Sequence, residues 1–177
     1  QEMGFDKGLL GVAISANAIA YGLSKFLMGG VSDRSSARKF LPLGLTLSAL
    51  TTLILGTRAG LSSVVSMFIL QFLIGWFQGM GWPPSGRVMT HWFSQHERGT
   101  KMSIWNVAHN VGGALIGPMA AVGMAWFGSW QAGTFWFPAI VALVIVVIAY
   151  LLIRDTPQSC GLPPIEQYRN DYPPNYS

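Results

Sequence analysis

The sequence predicts an all-α fold, a polytopic membrane helix bundle with five transmembrane helices. Hydrophobic residues make up 51% of the 177 residues and charged residues only 10%, whereas soluble domains carry about 25% charged residues. The apolar residues form runs of ~20 residues, which is the length that crosses a bilayer. Eight of the 11 basic residues fall outside these runs, as is typical of membrane proteins.

Five apolar runs define the predicted spans in chain order. Small residues recur along the first run, and they allow close helix contact in a membrane. The third run is long enough to cross the bilayer and protrude, and Pro83 and Pro84 predict a kink in it. The predicted spans are residues 8–30, 40–57, 64–93, 100–126 and 132–153.

Short polar segments separate the spans, and we expect turns there. Residues 154–177 are rich in Pro and Tyr and lack apolar periodicity, so we expect a mostly extended, poorly packed linker. The pattern therefore predicts a transmembrane bundle over residues 1–153 and a linker over residues 154–177. The predicted turns are residues 31–39, 58–63, 94–99 and 128–131.

The distribution of Lys and Arg predicts the orientation in the lipid bilayer. Of the 11 basic residues, Lys7 and Arg58 lie on one side of the spans and Lys25 lies inside a span. The others lie on the opposite side, which the positive-inside rule places in the cytosol. We therefore expect the first residues outside and the tail inside the cell. The residues on the cytosolic side are Arg34, Arg38, Lys39, Arg87, Arg98, Lys101, Arg154 and Arg169.

The sequence also argues against several other classes of protein. Membrane topology explains the net charge of +4, so nucleic acid is not an expected partner. The single cysteine, Cys160, permits no intrachain disulfide. The three histidines lie apart along the chain and predict no metal site, and the sequence has no GxxxxGK phosphate loop. We expect no catalytic residues, no cofactor and no enzyme activity.

Several motifs resemble those of the major facilitator superfamily. The segment GGVSDRSSARK (29–39) is similar to the loop signature between helices two and three of that superfamily. Longer motifs resemble the organophosphate:phosphate antiporter family and extend the match over essentially the whole chain. These motifs are AYGLSKFLMG (20–29), GWFQGMGWPPSGR (75–87), ERG (97–99), WNVAHNVGG (105–113) and RDTPQSCGLPPIEQY (154–168).

The resemblance implies a secondary active transporter of the bacterial inner (plasma) membrane. It implies exchange of glycerol 3-phosphate, or a related organophosphate, for inorganic phosphate. It also implies that the chain is a fragment holding helices two to six of the N-terminal half and part of the cytosolic linker between the halves. We expect helix one and the C-terminal half to be missing partners, and the isolated chain not to transport.

The main alternative is a related membrane sensor that binds a sugar phosphate and signals. A membrane enzyme is disfavoured because the sequence shows no catalytic constellation.

Lys25 and Tyr21 form the centre of a predicted anion site. Lys25 lies inside an apolar span, no span has an acidic residue near its middle, and Tyr21 lies one turn earlier on the same face. An ammonium without a carboxylate partner in a membrane favours an anionic ligand such as phosphate. The alternative is that Lys25 snorkels to the inner surface or forms a structural pair.

His109 and Asn106 lie on one face of the fourth span. An imidazole can donate to phosphate and titrates near neutral pH, so with the resemblance we expect both residues in the anion site. The alternative is a histidine that is hydrogen-bonded between helices.

Gln78 and Trp82 follow Gln71 and Gly75 at helical spacing, which predicts one shared face. They are candidates to contact the glycerol end of the substrate, and interhelical packing explains them equally well.

The resemblance further implies a conformational latch at the cytosolic end. We expect the Asp33 carboxylate to pair with a neighbouring helix N-terminus or with an arginine, and Arg87 is the best candidate. Arg34 and Arg38 lie in the same predicted loop. The positive-inside rule explains these basic residues but does not explain Asp33.

Overall fold

The computed structural model describes residues 7–171. Residues 1–6 of the predicted bundle and residues 172–177 of the predicted linker lie outside the described part. This part of the chain contains helices and no strand, and five helical spans are long and apolar enough to cross a membrane. The predicted all-α membrane bundle is therefore confirmed. The helices are α1 (Lys7–Asp33), α2 (Ala37–Leu55), α3 (Val64–Gly79), α4 (Trp82–Trp92), α5 (Gln95–Phe127), α6 (Phe137–Leu152) and α7 (Ile165–Arg169).

The third span consists of two helices, α3 and α4, and a break at Met80 and Gly81 separates them. Pro83 and Pro84 lie in the first turn of α4, where a missing N–H costs no intrahelical hydrogen bond. The predicted kink is confirmed, and it lies just before the prolines because they begin the new helix.

Helices extend into two of the predicted turns. Helix α1 continues through Asp33 and α2 begins at Ala37, which leaves only residues 34–36 between them. Helix α5 begins at Gln95, so most of the predicted turn at residues 94–99 is helical. Ser36 and Ser94 are the N-cap residues of α2 and α5, and both have an extended backbone conformation. Polar residues that follow an N-cap form a helix as readily as apolar ones.

Helix α1 lies against α3, and glycines on α3 allow the close approach. A Cβ atom on Gly75 would overlap the backbone of Asn17, and one on Gly79 would lie 2.7 Å from Ser24 Cβ. Ser24 Oγ donates a hydrogen bond to the Trp76 carbonyl at 2.6 Å. Interhelical hydrogen bonds of this kind stabilise membrane bundles by about 0.6 kcal/mol on average.

The opposite face of α1 is open. A Cβ atom on Gly11 or Gly22 would meet no neighbouring atom within 4 Å, and Ser15 and Ala18 are exposed. A stripe of small residues on α1 is therefore exposed in this chain.

Helix α2 lies between α3 and α6, and α5 lies against α4, α6 and the π-helical turn Ala132–Trp136 that precedes α6. Gly123 of α5 and Gly133 of that turn approach closely, since a Cβ on Gly123 would lie 2.8 Å from Gly133 Cα. Only 6% of the most apolar window of α5 is buried. Most of the lateral surface of α5 is therefore exposed in this chain.

Residues 154–171, here called the C-terminal segment, fold against one end of the bundle. We call this end, at which α1, α4 and α6 end and α2 and α5 begin, the basic end. The Asp155 carboxylate accepts a hydrogen bond from the Arg38 backbone N–H at 2.7 Å, and the Asp171 carboxylate accepts one from the Gln95 N–H at 2.6 Å. Neither Ser36 nor Ser94 caps its own helix with its side chain. Distant carboxylates therefore satisfy free amides at the N-termini of α2 and α5, where negative charge is favoured.

Further contacts attach the C-terminal segment to α4, and others join α2 to α6. Trp92 Nε1 donates to the Arg154 carbonyl at 3.0 Å. The Arg38 guanidinium donates to the Tyr150 carbonyl at 3.0 Å and lies over the Tyr150 ring. The expectation of a mostly extended tail is wrong for residues 154–171, because Pro157–Cys160 and Ile165–Arg169 are helical. Most of these residues are exposed, so the expected poor packing is confirmed, and hydrogen bonds to helix ends attach the segment to the bundle. The domain boundary at residue 153 remains a prediction.

Gly75→Ala is expected to lower the free energy of unfolding by about 2 kcal/mol, because the added methyl must push α1 away from α3. Gly22→Ala is the matched control, since its methyl enters open space and alanine is the better helix former. Thermal unfolding of the purified chain in detergent measures both changes. Equal Tm values for the two variants would contradict the proposed close contact.

Asp155→Ala is expected to lower the free energy of unfolding by about 1 kcal/mol, as loss of a helix cap does, and Asp155→Asn by less. Asp33→Ala is the control, because that carboxylate is exposed and lies at a helix C-terminus, where negative charge is unfavourable. The same unfolding measurement applies. A loss for Asp33→Ala that matches the loss for Asp155→Ala would show that the cap is not the cause.

Candidate functional site

The Lys25 ammonium lies between two aromatic rings. Its Nζ atom is 4.0 Å from the centroid of the Tyr21 ring and 4.2 Å from that of Trp82. Both rings attract a cation at this range. Within residues 7–171, Lys25 forms no salt bridge. Tyr21 precedes Lys25 by one turn, so the ammonium points away from the basic end, and snorkelling towards that end does not describe this conformation.

Trp82 joins the residues of this site. Its Nε1 donates a hydrogen bond to Tyr21 Oη at 2.6 Å, and its ring meets Trp105 edge-on at 4.7 Å between centroids. Tyr21, Trp82 and Trp105, here called the aromatic cluster, belong to α1, α4 and α5. Sequence analysis did not select Trp105, although its position one turn before His109 was a usable signal.

Lys25 lies between the packed face of α1 and its open stripe. On that face Ala16, Ala20 and Ser24 are buried against the bundle, whereas Gly22 lies on the open stripe. Tyr21, Lys25 and the other two rings of the cluster are each only partly buried. The ammonium is therefore held by protein on one side and remains approachable from the open side of α1.

His109 and Asn106 are exposed on α5. Asn106 directly follows Trp105, and His109 lies one turn after it. Neither side chain makes a hydrogen bond or ion pair within the described residues. The polar and small face to which they belong lies next to the face that carries Trp105, and the opposite face is apolar. Their location with Lys25 in one common cavity therefore stays a prediction. The first face is formed by Asn106, His109, Asn110, Gly113 and Gly117, and the second by Ile104, Val111, Leu115 and Val122.

The shared face of Gln78 and Trp82 stays a prediction. Helix α3 ends at Gly79, and Trp82, the first residue of α4, contacts Tyr21 of α1 and Trp105 of α5. Gln71 and Gly75 face α1, where Asn17 Nδ2 donates to the Gln71 carbonyl at 3.3 Å. The Gln78 side chain is exposed and makes no hydrogen bond in the described part of the chain.

The predicted latch is wrong in its central contact. Arg87 Nη1 donates to the backbone carbonyls of Ser32, Asp33 and Ser35 at 3.0, 3.1 and 2.7 Å. The Asp33 carboxylate is exposed and has no hydrogen bond or ion pair among residues 7–171. The physical reason is the position of Asp33 at the end of α1, where free carbonyls carry partial negative charge and attract the guanidinium themselves.

The other two predicted latch residues have different environments. Arg38 lies in α2 and binds Tyr150, whereas Arg34 is exposed and has no described partner. At the basic end, helix-capping contacts and Arg–carbonyl contacts take the place of the expected carboxylate–arginine pair.

Residues 7–171 contain no group of His, Cys, Asp or Glu side chains that could hold a metal ion. A cavity of about 650 Å³ lies at the end of the bundle opposite the basic end and contains Arg58 and Trp136 in its lining. None of the predicted substrate-binding residues lines it.

Comparison with known proteins identifies the family. The family profile described as Major Facilitator Superfamily matches residues 1–169. The chain is 59% identical over 174 residues to the glycerol-3-phosphate transporter of Bacillus subtilis (strain 168), covering 98% of this chain and 39% of the relative. It is 43% identical over 171 residues to a probable hexose phosphate transport protein of Chlamydia trachomatis, covering 96% of this chain and 36% of the relative.

A third relative is the membrane sensor protein UhpC of Escherichia coli (strain K12), which is 37% identical over 162 residues. That match covers 92% of this chain and 36% of the sensor. The chain thus spans less than two fifths of the length of these relatives. The predicted superfamily is confirmed, and names that denote transport or sensing agree with the expectation of a non-enzymatic protein.

Cysteines introduced on α5 test which face contacts water. In a Cys160→Ser background, which removes the native thiol, Asn106→Cys, His109→Cys and Asn110→Cys are expected to react with a hydrophilic thiol reagent in membranes. Val111→Cys and Leu115→Cys are the controls, because apolar side chains on the other face are expected to contact lipid. Equal labelling of both faces would exclude a water-filled site beside α5.

Proposed function

This chain belongs to the Major Facilitator Superfamily, and we propose that it forms part of a secondary transporter that exchanges an organophosphate for inorganic phosphate. Glycerol 3-phosphate is the proposed organic substrate, since the Bacillus subtilis relative carries that name at 59% identity. We place the protein in the bacterial inner membrane, with the basic end in the cytosol because cytosolic loops carry excess Lys and Arg.

The observation that carries the proposal is the state of Lys25. An ammonium inside a membrane span is costly unless a counter-charge or a polar ligand reaches it. Here two aromatic rings hold Nζ, and no described carboxylate neutralises it. The charge is therefore available to an anion that enters from the open side of α1.

A phosphate dianion complements the groups around this position. It offers several acceptor oxygens to the Lys25 ammonium, the Tyr21 hydroxyl and the His109 imidazole, with Asn106 beside them. We propose that further helices of the same protein, absent from this chain, complete the site. In the superfamily the two halves rock against each other around a site between them.

The unneutralised ammonium also explains exchange rather than uniport. An empty site would have to move with an isolated positive charge surrounded by apolar protein, whereas a phosphate-loaded site would not. Closure around the site is therefore favoured only when an anion is bound, which couples the exit of one anion to the entry of another.

The second candidate is a sensor of a sugar phosphate, which the 37% identity to UhpC favours. Such a protein would use the same ammonium to bind the ligand. It would bind an organophosphate without exchanging it for phosphate, so a flux measurement separates the two candidates.

The test is counterflow in proteoliposomes that contain the full-length protein. We expect internal phosphate to drive uptake of labelled glycerol 3-phosphate, and glucose 6-phosphate to compete more weakly. Lys25→Ala is expected to abolish the exchange, because one charged hydrogen-bond partner of the anion is lost. His109→Ala is expected to slow the exchange, because the anion loses a hydrogen-bond donor from the imidazole ring.

Lys39→Ala is the matched control, because Lys39 is an exposed residue of the basic end. This substitution is expected to leave exchange unchanged at equal protein abundance. Normal exchange by Lys25→Ala would overturn the anion site. Organophosphate binding without counterflow by the wild-type protein would favour the sensor.

A further inference from the structure

Trp82 contacts every other member of the Lys25 site. Its ring lies against the ammonium at 4.2 Å, its N–H binds the Tyr21 hydroxyl oxygen at 2.6 Å, and its edge meets Trp105. It is the first residue of α4, directly after the break in the third span. Its position therefore depends on the backbone break and on contacts with two other helices.

The hydrogen bond from Trp82 determines what the Tyr21 hydroxyl can do. A tyrosine hydroxyl donates one hydrogen and accepts others, whereas an indole N–H can only donate. Since Tyr21 Oη accepts from Trp82 Nε1, the hydroxyl keeps its own hydrogen for another acceptor. No such acceptor is described for Tyr21 within residues 7–171, so this hydrogen is available to an anion beside Lys25.

The ring of Trp82 acts on Lys25 in a complementary way. A carboxylate in its place would neutralise the ammonium, and an incoming anion would have to displace it. An aromatic face attracts the cation without cancelling its charge. The ring therefore fixes the position of Nζ and leaves its charge for the ligand.

We propose that Trp82 is a positioning residue of the anion site: it holds Lys25 by its ring face and orients Tyr21 as a hydrogen-bond donor to phosphate. This inference rests on the proposed function and deepens it. It replaces the sequence-based expectation that Trp82 contacts the glycerol end of the substrate.

Graded substitutions separate the two roles in the full-length protein in proteoliposomes, with inorganic phosphate as the ligand. Trp82→Phe keeps a ring and loses the N–H, so the apparent affinity for phosphate is expected to fall about fivefold, as for one lost hydrogen bond. Trp82→Leu also loses the aromatic face, and a fall of ~20-fold or more is expected. The maximal exchange rate per folded molecule is expected to change much less.

A double-mutant cycle tests the orientation of Tyr21 specifically. Tyr21→Phe removes the donated hydrogen, so adding Trp82→Phe to it is expected to weaken phosphate binding by less than twofold further. Trp126→Leu is the control, because Trp126 is 72% exposed and packs edge-on against Phe137, away from Lys25.

The outcomes distinguish this inference from the proposed function. Wild-type phosphate affinity in Trp82→Phe and Trp82→Leu, with loss of binding in Lys25→Ala, would overturn the positioning role and leave the anion site intact. Wild-type affinity in Lys25→Ala would overturn the anion site itself. Fully additive losses for Tyr21→Phe and Trp82→Phe would show that Trp82 does not orient Tyr21.

Discussion

The close contact of α1 with α3 is the interaction on which the rest of this structure depends. Gly75 and Gly79 let the two backbones approach, and Ser24 adds a hydrogen bond across the interface. This contact fixes the rotation of α1, and the rotation determines where Tyr21 and Lys25 lie. A side chain at Gly75 would separate the helices and move the ammonium away from α4, so a packing constraint is also a constraint on the proposed function.

Helix ends provide the second constraint. At the basic end the C-terminal segment lies against the bundle through Asp155, Asp171 and Trp92. Each of these contacts satisfies a backbone or side-chain polar group, and an unsatisfied polar group near a membrane is costly. Arg87 satisfies carbonyls at the end of α1 in the same way. Opening of the basic end would have to break these contacts together.

The length of the apolar runs predicted the number of spans, and proline chemistry predicted the kink in the third. Run length failed at Asp33 and at residues 94–99, since polar residues outside the bilayer extend helices that an apolar count would end. The folding of residues 154–171 was not predictable from sequence, because Asp155 meets the N-terminus of α2 over a separation of 117 residues.

The candidate site was partly predictable for similar reasons. Tyr21 and Lys25 share a helix, so the spacing of one turn predicted their contact correctly. Trp82 and Trp105 belong to α4 and α5, so their contacts depend on how separate helices pack, which spacing along one helix could not predict. The Asp33–Arg87 pairing failed because a residue's own backbone carbonyl competed with its carboxylate for the guanidinium.

Chemical restoration of the ammonium at position 25 tests the anion site most directly. In full-length protein from which the native cysteines have been removed, Lys25→Cys is expected to show no phosphate exchange, and aminoethylation of the new thiol is expected to restore it. A neutral reagent of similar size is the control. Recovery with the amine alone would show that exchange requires positive charge at this position. Equal recovery with the neutral reagent, or normal exchange by Lys25→Cys before treatment, would contradict the anion site.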